Sequence, residues 1–223
     1  MALILNIDTS TEKAGICLAS EGRMLAMKRN DTQKDHASWL HPAVQQLLQE
    51  TGHRLQDLQA VAVTAGPGSY TGLRVGMAAA KGFCYALDIP LITENTLKMM
   101  ASAARDQYPG APLFCPMIDA RRMEVFTTVY QNDLVEIMPT VAMVIDENSF
   151  AEILAKTTLS FFGSGSDKCK PIIMAPTAAF IEVDYHVGYL GILSFLRYLH
   201  HEFTGVAYSE PAYTKDFYTH TKK

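Results

Sequence analysis

The sequence predicts an α/β protein of two related lobes, each a mixed sheet with flanking helices. Three observations predict it. The first half reads strand-strand-strand-helix-strand-helix-strand-helix, and the second half repeats most of that order. The segments "LNIDTSTEKAGICLA" and "PMIDARRMEVFTTVY" both place Ile-Asp at a strand end before a turn and a second strand. The chain's 223 residues suffice for a well-buried core in one domain or in two small lobes. The Pro-Gly segment "DQYPGAP" (106–112) divides an N-terminal lobe, 1–108, from a C-terminal lobe, 109–223.

In chain order, "LILNID" (3–8), "KAGICLAS" (13–20) and "RMLAMKRN" (23–30) are apolar runs with turn-like breaks, the pattern of a meander. A helix over 35–50 follows, with Trp39, Ala43, Val44 and Leu47 at helical spacing and Asp35 placed as its cap. "LQAVAVTAG" (58–66) is apolar on both faces, which suits a strand inside a doubly covered sheet. A helix from Thr71, a strand "IPLIT" (89–93) and a helix near 94–107 complete the first half. The second half predicts strands at 113–120, 124–131 and 134–145 and a helix "ENSFAEILAK" capped by Asp146. A strand within 158–165, a strand "IIMA" and a long apolar helix at 186–203 follow.

A net charge of −4 gives no global attraction to a polyanion. The four cysteines, Cys17, Cys84, Cys115 and Cys169, have no CxxC spacing and read as buried, reduced thiols. With no secretory leader and no run of the roughly 18–20 apolar residues that a membrane span needs, a soluble cytoplasmic protein is expected.

The stretch "TAGPGSYTGLRVGMAAAKG" (64–82) carries most of the functional information. Exposed N–H groups at a helix N-terminus can bind an anion. A Walker loop, however, needs four residues between its glycines and a lysine after the second. Here three residues separate Gly68 from Gly72, and Leu73 stands in the lysine's place. A dinucleotide fingerprint fails because Thr71 replaces its third glycine. The reading preferred over a phosphate cradle is a turn fixed by Pro67 and Gly68, with Ser69 or Thr71 capping the helix.

Projected at 100° per residue, Leu73, Met77, Ala80, Cys84 and Leu87 form one face of that helix, suited to its own sheet. Val75, Ala79, Gly82 and Ala86 lie opposite and are small or short, with Arg74, Lys81 and Tyr85 on one flank. A surface helix normally turns charge toward water, and a mid-helix glycine costs about 1 kcal/mol against alanine. Either this chain's own helices cover the small face or a protein partner docks there. The partner is favoured, because a chain this short has few helices to spare.

Asp8 in "IDTST" is suited either to positioning a metal-bound water and a phosphate or to a hairpin Asx-turn, and the sequence supports both equally. In "DARR", Asp119, Arg121 and Arg122 either clamp an anion or form an exposed hairpin turn, the commoner case. "GSGSDKC" (163–169), a Gly/Ser loop after an apolar strand, either meets a nucleotide or forms a flexible connection, the commoner case. His36 and His41 diverge by about 140° around a helix and His200 and His201 by about 100°, so no helical zinc pair arises. Nothing assembles a nucleophilic triad.

"ILNIDTST", "HASWLHP", "AVTAGPGSYTGLRVGMAAAKG", "MIDARRMEVF" and "EPAYTKDF" together resemble, across essentially the whole chain, the bacterial TsaB (YeaZ) family of tRNA threonylcarbamoyladenosine biosynthesis proteins. The chain departs from the family pattern at Tyr70, where phenylalanine is usual. It also lacks the arginine common after a late Tyr-Leu pair, where Tyr213, Thr214 and Lys215 stand. The resemblance implies two RNase H-like lobes of the actin-like (ASKHA) fold and a non-catalytic paralogue of TsaD, the subunit that carries an H-x-x-x-H metal motif absent here. It implies pairing with TsaD through the helices near 36–50 and 71–86, and homodimers through the same surface when the chain is alone. A P-loop ATPase, TsaE, joins the complex; ATP and Mg²⁺ are used by that complex, with no cofactor or metal of this chain's own, and tRNA is met only through it. The expected partner-binding residues are then Trp39, Ala43, Arg74, Val75, Ala78, Ala79, Gly82 and Ala86, and the candidate anion contacts Asp8, Gly66, Gly68, Ser69, Gly72 and Arg121. The rival reading is a small ATP-dependent phosphotransferase in which Asp8 organises Mg²⁺, although "DARR" lacks the glycines of a second phosphate loop.

Overall fold

The structure, a computed structural model, describes residues 2–31 and 35–215. The first half runs β1 (Leu3–Asp8), β2 (Ala14–Ser20), β3 (Arg23–Asn30), α1 (His36–Thr51), β4 (Ala60–Gly66), α2 (Tyr70–Leu87), β5 (Leu91–Asn95) and α3 (Thr96–Gln107). The second runs β6 (Leu113–Asp119), β7 (Glu124–Gln131), β8 (Glu136–Val144), the one-turn α4 (Ala151–Leu154), β9 (Leu159–Phe162), β10 (Ala178–Phe180) and α5 (Gly188–Leu199).

The duplication is topological. The first sheet is ordered β3-β2-β1-β4-β5 and the second β8-β7-β6-β9-β10, the same order counted within each half. In both, an antiparallel meander is extended by two parallel strands. Each half is therefore an RNase H-like lobe, and the pair has the ASKHA architecture.

Period-two alternation assigns the faces of the first sheet. Leu5, Ile7, Leu18, Val61 and Val63 point to one side and pack under α1 and α2, through Ala43, Val44, Leu47, Met77 and Ala80. Ile4, Cys17, Ala19, Ala62 and Ile92 point to the other. There they share one core with Met100 and Ala104 of α3, Leu190 and Leu193 of α5, and Phe114, Ile118 and Phe162 of the second sheet. The last helix of each half thus lies between the sheets. α3 packs against β6 and β7 as well as its own strands, and α5 lies across β1 to β5 of the first sheet.

A buried polar pair fixes α5 there. The Ser194 hydroxyl donates to Asn6 Oδ1 at 2.6 Å, across 188 residues of chain, with both residues fully buried. Ser194→Ala is expected to cost about 1–3 kcal/mol by leaving the amide oxygen of Asn6 unsatisfied, measurable by urea unfolding.

Two second-half expectations need correction. The helix over 147–156 shrinks to α4 because Asp146 is consumed in a turn, accepting from the Asn148 amide at 3.0 Å and the Ser149 hydroxyl at 2.9 Å. Phe150 then enters with φ +65° so that its ring is buried edge-on to Phe161. "IIMA" is not a strand: the Ile172 and Ile173 amides both bond back to Cys169 O, making a helical turn that buries Ile173 and exposes Met174. The strand beside β9 is β10, further on. Among the described residues the second lobe has a loop and turns where the first has α2, and only the first carries a long helix pair on its outer face.

Candidate functional site

The stretch 64–82 joins β4 to α2, with a cis peptide at Gly66–Pro67 and Ser69 as N-cap, its hydroxyl accepting from the Gly72 amide at 3.3 Å. The glycines face the turn after β1. A Cβ on Gly68 would run into Ser10 O, one on Gly72 into Thr9 O and one on Gly76 into Thr9 Oγ1. The Ser69 amide donates to Ser10 O at 2.6 Å, and the Thr9 hydroxyl donates to Gly72 O at 2.7 Å. These glycines let a loop and a helix close on the backbone and side chains of Thr9 and Ser10.

Asp8 is buried and its Oδ1 takes three donors: the Ser10 amide at 3.0 Å, the Ser10 hydroxyl at 2.6 Å and the Thr64 hydroxyl at 2.7 Å. The first is an Asx-turn. The second lobe repeats it, for Asp119 Oδ1 accepts the Arg121 amide at 2.6 Å and Lys168 Nζ at 2.7 Å. Burial works to raise the Asp119 carboxyl, but Lys168 and the Arg121 amide outweigh it and hold the group below the usual carboxylate range. Lys168 also donates to Arg122 O and Glu124 O, which pins a turn in which Arg121 and Arg122 have φ +71° and +50°.

A cleft of about 1410 Å³ separates the lobes, and Asp8, Gly68, Ser69, Gly72 and Arg121 all line it. Gly66 lies against the late chain instead, where a Cβ would meet Ala212 O at 2.7 Å. In the first lobe's turn Asp8 Oδ1, the Ser69 amide and the Gly72 amide are already engaged within the chain. Among the described residues no group of three His, Cys, Asp or Glu side chains is placed to hold a metal. All four cysteines are free and buried, and burial pushes the Cys17 thiol up to about 12 and the Cys84 thiol to about 11.

The outer face of α1 and α2 is the second candidate. Asp35 is the N-cap of α1, and its carboxylate pairs with the Ser38 hydroxyl. The expected partner face is narrower than the projection gave. Ala43 and Ala79 are buried, at 3% and 7% exposure, and Trp39 and Val75 are half-buried against the same core. The reason is that α2 packs on α1 beside it as well as on the sheet beneath it, so its buried arc exceeds one face. Arg74, Ala78, Gly82 and Ala86 are exposed, as is Tyr85 at 84%. Arg74 is engaged within the chain: its Nε donates to the Tyr213 hydroxyl at 3.1 Å and its guanidinium lies 4.5 Å over the Tyr70 ring. Gly82 stands apart from Gly72 and Gly76, since a Cβ there would meet nothing within 4 Å.

Sequence reasoning missed Thr9, Ser10, Thr64 and Lys168, the groups that satisfy the loops. Their signal is weak, hydroxyls and a lysine near two strand ends. Of the late segment "EPAYTKDF", Asp216 and Phe217 lie outside the described residues. Among the described residues no helix is long and apolar enough to cross a membrane.

A family model described as "TsaD: tRNA N6-adenosine threonylcarbamoyltransferase" matches residues 29–182. The chain is 40% identical over 135 residues to the tRNA threonylcarbamoyladenosine biosynthesis protein TsaB of Bacillus subtilis, covering 60% of this chain and 58% of that one. To the protein of the same name from Escherichia coli it is 37% identical over 130 residues, 58% of this chain and 55% of that one. The chain thus spans less than three fifths of these two curated relatives. The crystal structure of an uncharacterized protein with similarity to peptidase YEAZ from Pseudomonas aeruginosa superposes with a TM-score of 0.84 at 26% identity, over 96% of this chain and 100% of that one.

Proposed function

The chain belongs to the TsaB/YeaZ family, within the wider TsaD-type family whose model it matches, and we propose that it is a non-catalytic activating and scaffolding subunit of the complex that makes N6-threonylcarbamoyladenosine at position 37 of tRNAs reading ANN codons. In this reading the outer face of α1 and α2 docks on a TsaD-like catalytic subunit and orders the partner's active site. A TsaE-like P-loop ATPase joins the assembly, which uses the ATP and Mg²⁺. The chain meets tRNA only as part of that cytoplasmic complex and pairs with itself when alone.

The observation that carries this reading is Gly82. Gly72 and Gly76 are required by the chain's own Thr9 backbone and side chain, whereas Gly82 faces open space between exposed Ala78 and Ala86. A mid-helix glycine weakens the isolated helix by about 1 kcal/mol, and a neighbouring backbone coming close from outside the chain gives that weakness a purpose. A standard interface buries roughly 1,600 Å² in total, within reach of two helices from each partner. The Asx-turn at Asp8 and its three donors favour a structural over a phosphotransfer role for that carboxylate.

The test is threonylcarbamoylation of tRNA by purified TsaD and TsaE with and without this protein. Modification is expected only when it is present, and equal rates without it would remove the scaffold reading. Calorimetric titration of the isolated chain with Mg-ATP separates the rival, since micromolar binding would restore a phosphotransferase using Asp8.

A further inference from the structure

Beyond α5 the chain becomes a strap along the first lobe. The Thr204 amide donates to Leu91 O at 2.8 Å, continuing the edge of the sheet beside β5. Lys81 of α2 donates to the carbonyls of Ala207 and Ser209 at 3.2 and 3.0 Å. The Ala212 amide then donates to Ala65 O at 2.7 Å, at the end of β4. Tyr213 sets its ring 5.2 Å from that of Tyr70 and accepts from Arg74, both in the first turns of α2. Two residues on, Lys215 leaves the first lobe and ion-pairs with Glu124 at the start of β7. Residues 212–215 line the cleft between the lobes.

The two lobes are joined at their base by the common core around α3 and α5. A body joined at one side opens at the other unless something ties the mouth. We propose that the strap is that tie: a clasp that fastens the start of α2, through Tyr213 and Lys215, to β7 of the second lobe and holds the cleft at a fixed width. Its contacts are the Tyr213–Tyr70 ring pair, hydrogen bonds and an ion pair, all between partly exposed side chains or at the cleft mouth, so the clasp can release while the core stays folded. Arg74, expected as a partner contact, is the receptor for the clasp on α2. This inference does not depend on the proposed subunit role, since it concerns the chain by itself.

Spin labels at Glu12→Cys and Asp167→Cys, exposed positions facing the cleft from opposite lobes, read its width by pulsed dipolar spectroscopy, and the four native thiols are buried. The parent is expected to give one narrow distance distribution. Lys215→Glu should broaden it and move it to longer distance, Tyr213→Ala in addition should do so further, and Lys215→Glu combined with Glu124→Lys should restore the narrow distribution. The charge exchange guards against a variant that is merely misfolded. A parent-like distribution in the Tyr213→Ala/Lys215→Glu protein overturns the clasp, as does failure of the exchanged pair to restore the width.

Discussion

Gly82→Leu is expected to abolish pairing with the TsaD-like subunit while making the free protein more stable. The two effects have separate causes. Leucine is a better helix former than glycine by nearly 1 kcal/mol, and nothing within 4 Å of the Gly82 Cβ position resists the new side chain. The midpoint of thermal unfolding should therefore rise slightly. At a docked interface the same side chain separates two backbones in close approach, and overpacking of that kind is disruptive. Co-elution in size-exclusion chromatography should disappear, with the dissociation constant weakened on the order of 100-fold or more, equivalent to about 2.7 kcal/mol. Ala78→Arg, on the same exposed line, should act alike. Ala79, being buried, is unsuited to the test because a charge there would damage the fold itself. Unchanged co-elution of both variants would remove the α2 docking face.

Arg197→Ala is expected to be strongly destabilising at the junction of the halves. Glu94, at the end of β5, is buried, and its carboxylate receives Arg197 Nε at 2.8 Å, Arg197 Nη2 at 3.3 Å and the Asn95 amide at 2.8 Å. Arg197 lies on α5 and also meets Glu202 at 3.1 Å. Removing the guanidinium strands a carboxylate in a low-dielectric environment, which typically costs about 3–5 kcal/mol. In a chain of this length that corresponds to a fall in the unfolding midpoint of roughly 6–20 °C. Replacing both partners, as Arg197→Met with Glu94→Gln, should recover much of the loss because no buried charge is then left unpaired. Calorimetry of the three proteins checks this, and a single variant within about 1 kcal/mol of the parent would show the pair to be no more than a surface contact.

The strands of the first lobe are legible because each is a short apolar run between turn residues, and β1, β2 and β3 fall within a residue of their expected starts. α2 is legible for the same reason, with Ser69 as an explicit cap. The second lobe is harder to read where burial overrides local preference. Phe150 takes a left-handed backbone to reach the core, and Ile173 is buried from a turn whose sequence looks like a strand. Asp8 illustrates the same divide at the candidate site. The Asx-turn with Ser10 is written locally, but Thr64, 56 residues away, arrives only when β4 pairs with β1.

By itself the sequence determined the duplicated lobe, the order of the first-lobe elements and a second helix too bare of charge for an ordinary surface. Each of these rests on periodicity and turn chemistry, which act over a few residues. Tertiary structure alone decided that the closing helix of each half lies between the two sheets, that Ala43 and Ala79 are covered while Gly82 is open, and that residues 203–215 fasten α2 to the second lobe. These depend on which surfaces meet after distant segments pack, and no local pattern encodes the neighbour that a side chain will find.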